Sequence, residues 1–313
     1  MITVQIYSPD KQNEWDSVVN FSRTPMFMFT RGFMDYHADR FKDASLIFYN
    51  EDVPIAVFPA SRHEEEIRSH GGLTYGGVIS KYGVKQHLMA ECFQQMIKIY
   101  KQMGGHSVMY KKIPFFYSLH PAEDDIYELF RNGGVIEKVE PATVINLNNM
   151  FSKSKGRKAQ ISRARREGVE IKLLNDMNEF ITLENEVLLN RHGVKAVHSA
   201  SELQLLKARF PSNIQCYGGY YKGVLIAATL LFVYEKVIHV QYLAANDVAR
   251  RIGALDFIID ELINKSVGKF DFFDFGISSE KGGLILNDGL IAQKESFGGR
   301  TVCYKTWRLP LDN

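Results

Sequence analysis

A lysine inside an apolar helical stripe is the first candidate for chemistry in this sequence. At about 100° per residue, Leu290, Ile291 and Phe297 form one face of a helix, and Lys294 falls in the middle of it. One explanation is a snorkelling side chain, whose ammonium reaches water while its stem covers apolar surface. The other is an ammonium that points into a cleft shared with Asp274, where a cation can stabilise developing negative charge. Spacing alone leaves both open.

A strand, a loop and a helix must position these two side chains. Aromatic residues on both faces predict a buried strand from Phe270 to Gly276, with Asp274 near its end. Residues 276–287 are rich in glycine and serine and predict a loop. A helix then begins at 287–288, where Asn or Asp can cap it, and ends at the glycine pair 298–299.

Composition limits the classes to which the protein can belong. With 313 residues, 45% of them hydrophobic, the chain can bury one large core or two of ordinary size. Its 38 basic and 36 acidic residues give no overall signature of polyanion binding. Cys92, Cys216 and Cys303 lie far apart without CxxC spacing, which predicts a reducing compartment and neither disulfides nor a zinc site. We find no signal peptide and no apolar run near the roughly 20 residues that span a bilayer. We therefore expect a cytoplasmic protein without an integral membrane segment and without a metal.

One segment is strongly basic. Residues 152–168 carry seven Lys or Arg side chains against one acid, Glu167, and show little apolar periodicity. This composition predicts a solvated helix between the two halves of the chain, and such charge runs usually face solvent. The functional alternative is an anion-binding surface for a phosphate-bearing substrate or RNA, although no aromatic interleaving accompanies it.

A second unusual segment is rich in glycine. Residues 69–77 place four glycines beside His70, Thr74 and Tyr75. Glycines at this density indicate either backbone brought close to a ligand or a sharply bent, tightly packed strand.

The two halves share one order of elements. In each half three strands precede a helix, a strand, a second helix and a final strand. Strands and helices that alternate in this way, with a parallel crossover, indicate a mixed α/β sheet. We therefore predict two tandem α/β domains, residues 1–150 and residues 151–313, with a cleft between them.

This order resembles that of the GNAT N-acyltransferases, and two such units in tandem resemble the FemAB-like branch of that superfamily. The similar stretches are LTYGG at 73–77, the basic segment 157–168, HVQYLAA at 239–245, and a C-terminal block with DFG at 274–276, NDGL at 287–290 and QKESFGG at 293–299. The likeness covers nearly the whole chain, and the C-terminal block is its most specific part.

The resemblance implies transfer of an acyl group, from acyl-CoA or from an aminoacyl-tRNA, to an amine on a cell-envelope precursor. Lys294 matches the lysine of the K-x-x-F-G block, so the resemblance and the helical phase select the same catalytic candidate. Asp274 is the candidate that orients or deprotonates the amine; its alternative role is to cap the loop that follows. By analogy the cleft is lined by the segment 71–77 together with Asp274 and Lys294.

The resemblance also indicates where a donor would bind. GNAT enzymes hold the CoA pyrophosphate on backbone amides at a helix N-terminus, and the matching loop contains Arg250, Arg251, Gly253 and Ala254. The next position, Leu255, departs from the small residue of the pattern and would crowd a pyrophosphate. We expect acetyl-CoA, or another acyl-CoA, as co-substrate; Fem-type enzymes that use aminoacyl-tRNA do not need this loop, which keeps tRNA as an alternative donor.

The expected acceptor is an amino group on a small molecule or on a nucleotide- or lipid-linked sugar. The resemblance implies His70, Tyr75, Arg157, Gln241 and Tyr242 as substrate-binding residues. His239 and Gln241 share a face of one strand and are expected to be satisfied by neighbouring polar groups in the core. The rival hypothesis is a non-catalytic module that holds RNA or another anionic partner through its basic helix.

Overall fold

The computed structural model describes residues 1–194 and 196–311, which form two units of mixed α/β structure. Unit 1 comprises residues 1–140, 279–285 and 303–311, and unit 2 comprises residues 141–278 and 286–302. The predicted fold class is therefore confirmed, with strands and helices alternating in both units.

Unit 1 contains a hairpin whose turn lies at Glu51 and Asp52. Glu51 and Asp52 adopt positive φ angles of 49° and 64°, as a tight two-residue turn between antiparallel strands requires. The elements of this part of the chain are β1 (Ile2–Ile6), α1 (Gln12–Asn20), α2 (Arg31–Met34), β2 (Lys42–Asp43), β3 (Leu46–Asn50), β4 (Val53–Phe58), β5 (Ser61–His63), β6 (Glu66–Arg68), β7 (Ile79–Ser80), α3 (Gln86–Gln102), β8 (Ser107–Lys111), α4 (Asp124–Arg131) and β9 (Val135–Asn146).

The apolar faces of these elements make one core. Helix α3 buries Met89, Phe93 and Met96 against strands β1, β4 and β8. Strands β6 and β8 are parallel, and β8 also pairs with residues 306–310 near the end of the chain.

Unit 2 contains the second run of elements. They are α5 (Lys155–Arg166), β10 (Glu170–Leu173), α6 (Met177–His192), α7 (Ala200–Arg209), β11 (Ile214–Tyr221), β12 (Val224–Val233), β13 (Val237–Ala245), α8 (Asp247–Ile252), α9 (Ala254–Ser266), β14 (Phe272–Ile277) and α10 (Asp288–Glu295). Two short strands, β15 (Ser279–Glu280) and β16 (Ile285–Leu286), lie between β14 and α10, and β17 (Arg300–Pro310) follows α10.

The sheet of unit 2 is an antiparallel meander with one parallel crossover. Strands β10 to β13 pair in chain order and antiparallel, whereas β14 returns parallel to β13 after the crossover through α8 and α9. Residues 142–146 of β9 then pair antiparallel with β14. Helix α9 packs on this sheet and buries Ile258, Ile259 and Ile263 in the core.

The boundary between the units differs from the predicted boundary at residue 150. The end of β9 belongs to unit 2 because residues 142–146 pair with β14. Most of β17 belongs to unit 1 because residues 306–310 pair with β8. Sequence composition changes at 151, but strand pairing decides which unit a strand joins.

Two helical regions are interrupted. Residues 30–41 form the short helix α2, followed by a kinked 3₁₀ segment at 35–40. Residues 247–266 form two helices, because Gly253, whose φ is +80°, separates α8 from α9. The basic segment forms helix α5, most of whose side chains are exposed as predicted, and Ile161 and Ala164 are buried where α5 packs along α9.

The glycine-rich segment 71–77 is a turn region and not a strand. A Cβ on Gly71 or Gly72 would lie within 3 Å of the rings of His63, His37 and Phe41. Tight packing against aromatic and imidazole rings therefore accounts for these glycines.

Candidate active site in unit 2

Two parallel strands separate at the centre of unit 2. The ladder between β13 and β14 joins Val237–His239 to Phe272–Asp274 and stops there. Strand β13 continues to Ala245 beside β12, so its opposite edge turns away from β14. Backbone groups on such an edge can meet a ligand, because they are not used by a strand neighbour.

A histidine and an aspartate pair at the point where the strands separate. His239 Nδ1 and Asp274 Oδ2 are 2.7 Å apart, and both side chains are buried. Asp274 Oδ1 accepts the Gly276 backbone N–H at 2.8 Å, so both carboxylate oxygens are engaged. With Nδ1 bound to the carboxylate, Nε2 of the neutral ring is the nitrogen that can accept a proton.

Lys294 is buried and satisfied by backbone. Its Nζ donates to the carbonyls of Gly276 and Ile277 at 3.0 and 2.5 Å, and the residue is 5% exposed. Burial lowers the pKa of Lys294 to about 8, an effect that the nearby Asp274 carboxylate opposes. The side chain therefore does not snorkel; it fixes the backbone at the end of β14.

A cavity of about 330 Å³ lies at the end of β13. All its lining residues belong to unit 2, and they come from α5, α6, β13, α8, α9 and α10: Arg157, Val187, Leu243, Ala245, Ala249, Arg250, Gly253, Leu255, Asp256, Leu290 and Gln293. A smaller recess shares five of these residues and is also lined by Phe275 and Lys294. The cavity thus approaches the lysine selected from the sequence.

An ion pair lines the cavity. Arg157 is paired with Asp256, donates from Nε to Ser296 Oγ at 2.8 Å, and lies 4.4 Å over the centre of the Phe297 ring. Burial raises the pKa of Asp256, and the Arg157 charge opposes that rise. Asp256 lies in the first turn of α9, where a carboxylate complements the helix dipole. The position that a phosphate would favour is therefore next to a side-chain carboxylate of the protein.

The four residues expected to bind the donor have different surroundings. Arg250 lines the cavity but is paired with Asp247 and donates to the Ala245 carbonyl. Gly253 also lines it, yet a Cβ there would lie 2.6 Å from the Gln160 carbonyl oxygen, so its glycine is required by helix packing. Arg251 is exposed, and Ala254 is fully buried.

The remaining predicted substrate-binding residues, apart from Arg157, do not line this cavity. Tyr242 packs on Phe180 of α6 and is hydrogen-bonded to His198 Nδ1. Gln241 lies beside it, where the register of β12 and β13 shifts.

His70 and Tyr75 belong to unit 1. Burial lowers the pKa of His70 to about 3, and the ring of Tyr75 packs against Tyr117 and Tyr304.

Sequence reasoning gave no role to two features of the site. His239 was expected only as a satisfied core residue, and its pairing with Asp274 depends on the parallel register of two strands 35 positions apart. Asp256 carried no signal because an acidic residue in the first turn of a helix is common. Alternation in 270–276, read together with the parallel crossover, could have placed Asp274 beside β13.

Within the described residues, no group of three or more His, Cys, Asp or Glu side chains is arranged to hold a metal ion. The same part of the chain contains no helix with the length and apolar character that a membrane span requires.

Comparison with known proteins places this geometry in a fold class. No protein-family model and no curated protein sequence matches the chain. Among solved structures, a tandem GNAT protein from the clavulanic acid biosynthesis pathway superposes with a TM-score of 0.54 at 8% identity, over 100% of this chain and 99% of that one. The chain has the tandem GNAT fold.

Two structures of higher TM-score specify the likeness further. FemX superposes with a TM-score of 0.69 at 8% identity, over 98% of this chain and 97% of FemX. L-PGS from Bacillus licheniformis gives 0.65 at 15% identity, over 99% of this chain and 94% of that one. The predicted relationship to the FemAB-like branch is confirmed at the level of the fold.

Proposed function

We propose that the protein is an acyltransferase that moves an acyl or aminoacyl group onto an amine, with the reaction centred where β13 and β14 separate. The observation that carries this proposal is the His239–Asp274 pair at the point of separation, with the unit 2 cavity farther along the same strand. The tandem GNAT fold supports it.

In this proposal His239 is the general base. An ammonium group cannot attack a carbonyl until it loses a proton, and Nε2 of His239 can accept that proton. Asp274 holds the ring through Nδ1 and stabilises the imidazolium that forms. This assigns Asp274 a positioning role in place of the direct proton transfer expected from the sequence, since both its oxygens are already engaged.

Backbone supplies the other requirement of acyl transfer. Addition of the amine to the acyl carbonyl gives a tetrahedral intermediate with a negatively charged oxygen, which needs a hydrogen-bond donor. The ladder with β14 ends at His239, and the edge of β13 beyond this point is where main-chain N–H groups would serve this purpose. Lys294 positions the carbonyls of Gly276 and Ile277 and so fixes the backbone opposite that edge.

For the donor we favour an aminoacyl-tRNA. Asp256 lies where a CoA pyrophosphate would approach α9, and Arg250 is occupied by Asp247 and a carbonyl. Outside the cavity, Lys155, Lys158, Arg163 and Arg166 are exposed on α5 and have no acidic partner within 4 Å among the described residues. A surface of this kind suits a nucleic-acid backbone.

Acyl-CoA is the second candidate donor. The observation in its favour is the position of the cavity, which joins the end of β13 to the first turn of α9 and carries Arg157 and Arg250. GNAT enzymes hold the CoA pyrophosphate at the equivalent helix.

The acceptor we propose is an amine on a cell-envelope precursor or lipid. FemX and the L-PGS protein are the neighbours that suggest this class. A nucleotide- or lipid-linked amino sugar remains the first group of compounds to screen.

Calorimetric titration with acetyl-CoA, free CoA and aminoacyl-tRNA, followed by mass spectrometry of transfer to amino-sugar acceptors, tests this function. We expect saturable binding of aminoacyl-tRNA and a product heavier by one aminoacyl group. His239→Gln should lower kcat by about 100-fold or more, the contribution typical of a general base, and Lys294→Met should also lower it. The control is His87→Gln, an exposed histidine on α3.

Saturable binding of acetyl-CoA and not of tRNA would select the second donor. Binding of neither donor by the folded protein, or full turnover by His239→Gln, would reject the proposed function.

A further inference from the structure

A carboxylic acid is buried in the apolar face of α6. Met177, Phe180 and Ile181 form the start of this face, and Glu184 follows at helical spacing with only 4% of its surface exposed. One turn later Val187 lines the unit 2 cavity. Glutamate is rarely buried without a partner, so its position requires an explanation.

Among the side chains that the structure describes, none is placed to compensate the charge of Glu184. Its Oε2 has no hydrogen-bond partner among them. Helix α6 packs against β12, β13 and α7. Strand β12 carries no ionisable side chain. On β13, His239 pairs with Asp274 and Tyr242 pairs with His198. On α7, Glu202 caps its own helix, Lys207 binds the Leu174 carbonyl, and Arg209 lies at the end of the helix.

Glu184 lies over the same face of the sheet as the proposed base. Phe273 and Phe275 pack in the core beneath α9, so strand alternation directs Asp274 and its partner His239 to the opposite face. Tyr242 faces the same way, because its ring packs on Phe180 of α6. Helix α6 therefore covers the face on which the reaction is proposed, and Glu184 is its buried acid.

We propose that Glu184 binds the primary ammonium group of a substrate. A carboxylate with a buried oxygen that lacks a hydrogen-bond donor is costly in an apolar interior, and a bound ammonium would supply both a positive charge and a donor to that oxygen. Phe180 and Tyr242 add aromatic rings that attract a cation. Burial raises the pKa of Glu184 to about 7, which leaves it ready to ionise when a cation arrives. This inference rests on the proposed function for the source of the amine.

Two substrates of the proposed reaction carry such a group. One is the α-ammonium of an aminoacyl donor, and the other is the ammonium of the acceptor. L-Alaninamide with its N-acetyl derivative probes the first source, and glucosamine with N-acetylglucosamine probes the second. In each pair the acetylated compound keeps the rest of the molecule but carries an acetyl group on the nitrogen and loses the positive charge.

The test compares binding of these four compounds to wild-type protein, Glu184→Gln and Glu186→Gln at pH 8 by calorimetry or ligand-detected NMR. Glu186 lies on the same helix and is exposed, so its variant controls for the loss of one negative charge. We expect one amine to bind the wild type and Glu186→Gln within twofold of each other and Glu184→Gln at least tenfold more weakly. The acetylated compounds should not distinguish the three proteins.

Equal binding of both amines to wild type and Glu184→Gln, or binding of neither amine, would overturn the assignment. Amine binding that depends on Glu184 in a protein without any acyl transfer would retain this site and reject the proposed function. Transfer with unchanged kcat and KM in Glu184→Gln would retain the function and reject the site.

Discussion

Two buried ionisable side chains of unit 2 have opposite surroundings. Lys294 has two backbone carbonyl acceptors, whereas Oε2 of Glu184 has no partner among the described residues. A satisfied buried charge organises the backbone around it, and an unsatisfied one destabilises the fold. The lysine is therefore a structural anchor for the site, and the glutamate is a position where stability is lowered.

Glu184→Gln should stabilise the protein above neutral pH. The pKa of Glu184 is raised from 4.5 to about 7 by burial, so the folded state binds more protons than the unfolded state between these values. Wild-type stability therefore falls as pH rises from 4.5 to 7, and the loss is complete above 7. The corresponding gain of Glu184→Gln at pH 8 is on the order of 3 kcal/mol. Urea unfolding at pH 4.5, 6, 7 and 8 measures it.

Glu186→Gln, exposed on the same helix, should show no such pH-dependent gain. Parallel stability curves for wild type and Glu184→Gln would show that Glu184 has an ordinary pKa, and the burial described for it would then be wrong.

Lys294 could be selected as a site residue from the sequence, whereas Glu184 could not. Lys294 stands out because a lysine breaks an apolar helical stripe, and the structure places it in a recess beside the cavity. Glu184 breaks a stripe in the same way, but α6 also carries Glu179 and Glu186 on its solvent side, so helical phase gave no clear contrast. The His239–Asp274 pair depends on strand register, which local spacing does not contain.

At the scale of elements, the break between α8 and α9 is a packing feature. Gly253 has a φ of +80°, and its Cα approaches the backbone of α5 at Gln160. The sequence offered this glycine as part of a phosphate-binding loop, whereas the structure shows a contact between two helices that only glycine allows.

Gly253→Ala should destabilise the protein far more than Gly268→Ala. Both glycines have a positive φ, +80° and +75°, so each variant pays a left-handed penalty of about 1 kcal/mol. A Cβ at Gly253 would also lie 2.6 Å from the Gln160 carbonyl oxygen, whereas a Cβ at Gly268 meets nothing within 4 Å. Overpacking adds about 1–3 kcal/mol for Gly253→Ala. Thermal or urea unfolding of the two variants provides the comparison, and equal losses would contradict the helix contact.

The pairing of α5 with α9 divides the basic side chains of α5 into two sets. One set pairs with acidic residues of α9: Arg157 with Asp256 and Arg165 with Glu261. Lys153, which lies just before α5, pairs in the same way with Asp260. The exposed set, Lys155, Lys158, Arg163 and Arg166, is what remains for an external anion.

Replacing two of the exposed side chains should weaken tRNA binding and flatten its salt dependence. Each phosphate contact removed lowers the slope of log K against log salt concentration by about one. The double variant Lys158→Ala/Arg166→Ala should therefore lose affinity at low salt and show a slope smaller by about two. Filter binding at salt concentrations from about 50 to about 300 mM, over which electrostatic screening changes strongly, measures the affinity and the slope. Lys98→Ala, on exposed α3 surface, is the control; an unchanged slope in the double variant would exclude α5 as the contact.

At the scale of the whole molecule, the order of elements was predictable and the partition into units was not. Turn composition and periodicity in the sequence agree with the hairpin at β3–β4, the long helix α3 and the strand before the C-terminal helix. The unit boundary depends on where β9 and β17 pair, and each of these strands contributes residues to both units. The residues within and next to β9 and β17 do not indicate which strands these two will pair with.

The assignment of residues 303–311 to unit 1 has a consequence for synthesis of the chain. These residues emerge from the ribosome only after every segment of unit 2 has been made. Until then β8 lacks the neighbour that pairs with its residues 107–111, and an unpaired strand edge is open to other chains. Unit 2 can therefore complete its sheet before unit 1 can, so the half that is translated first is the half that finishes folding last.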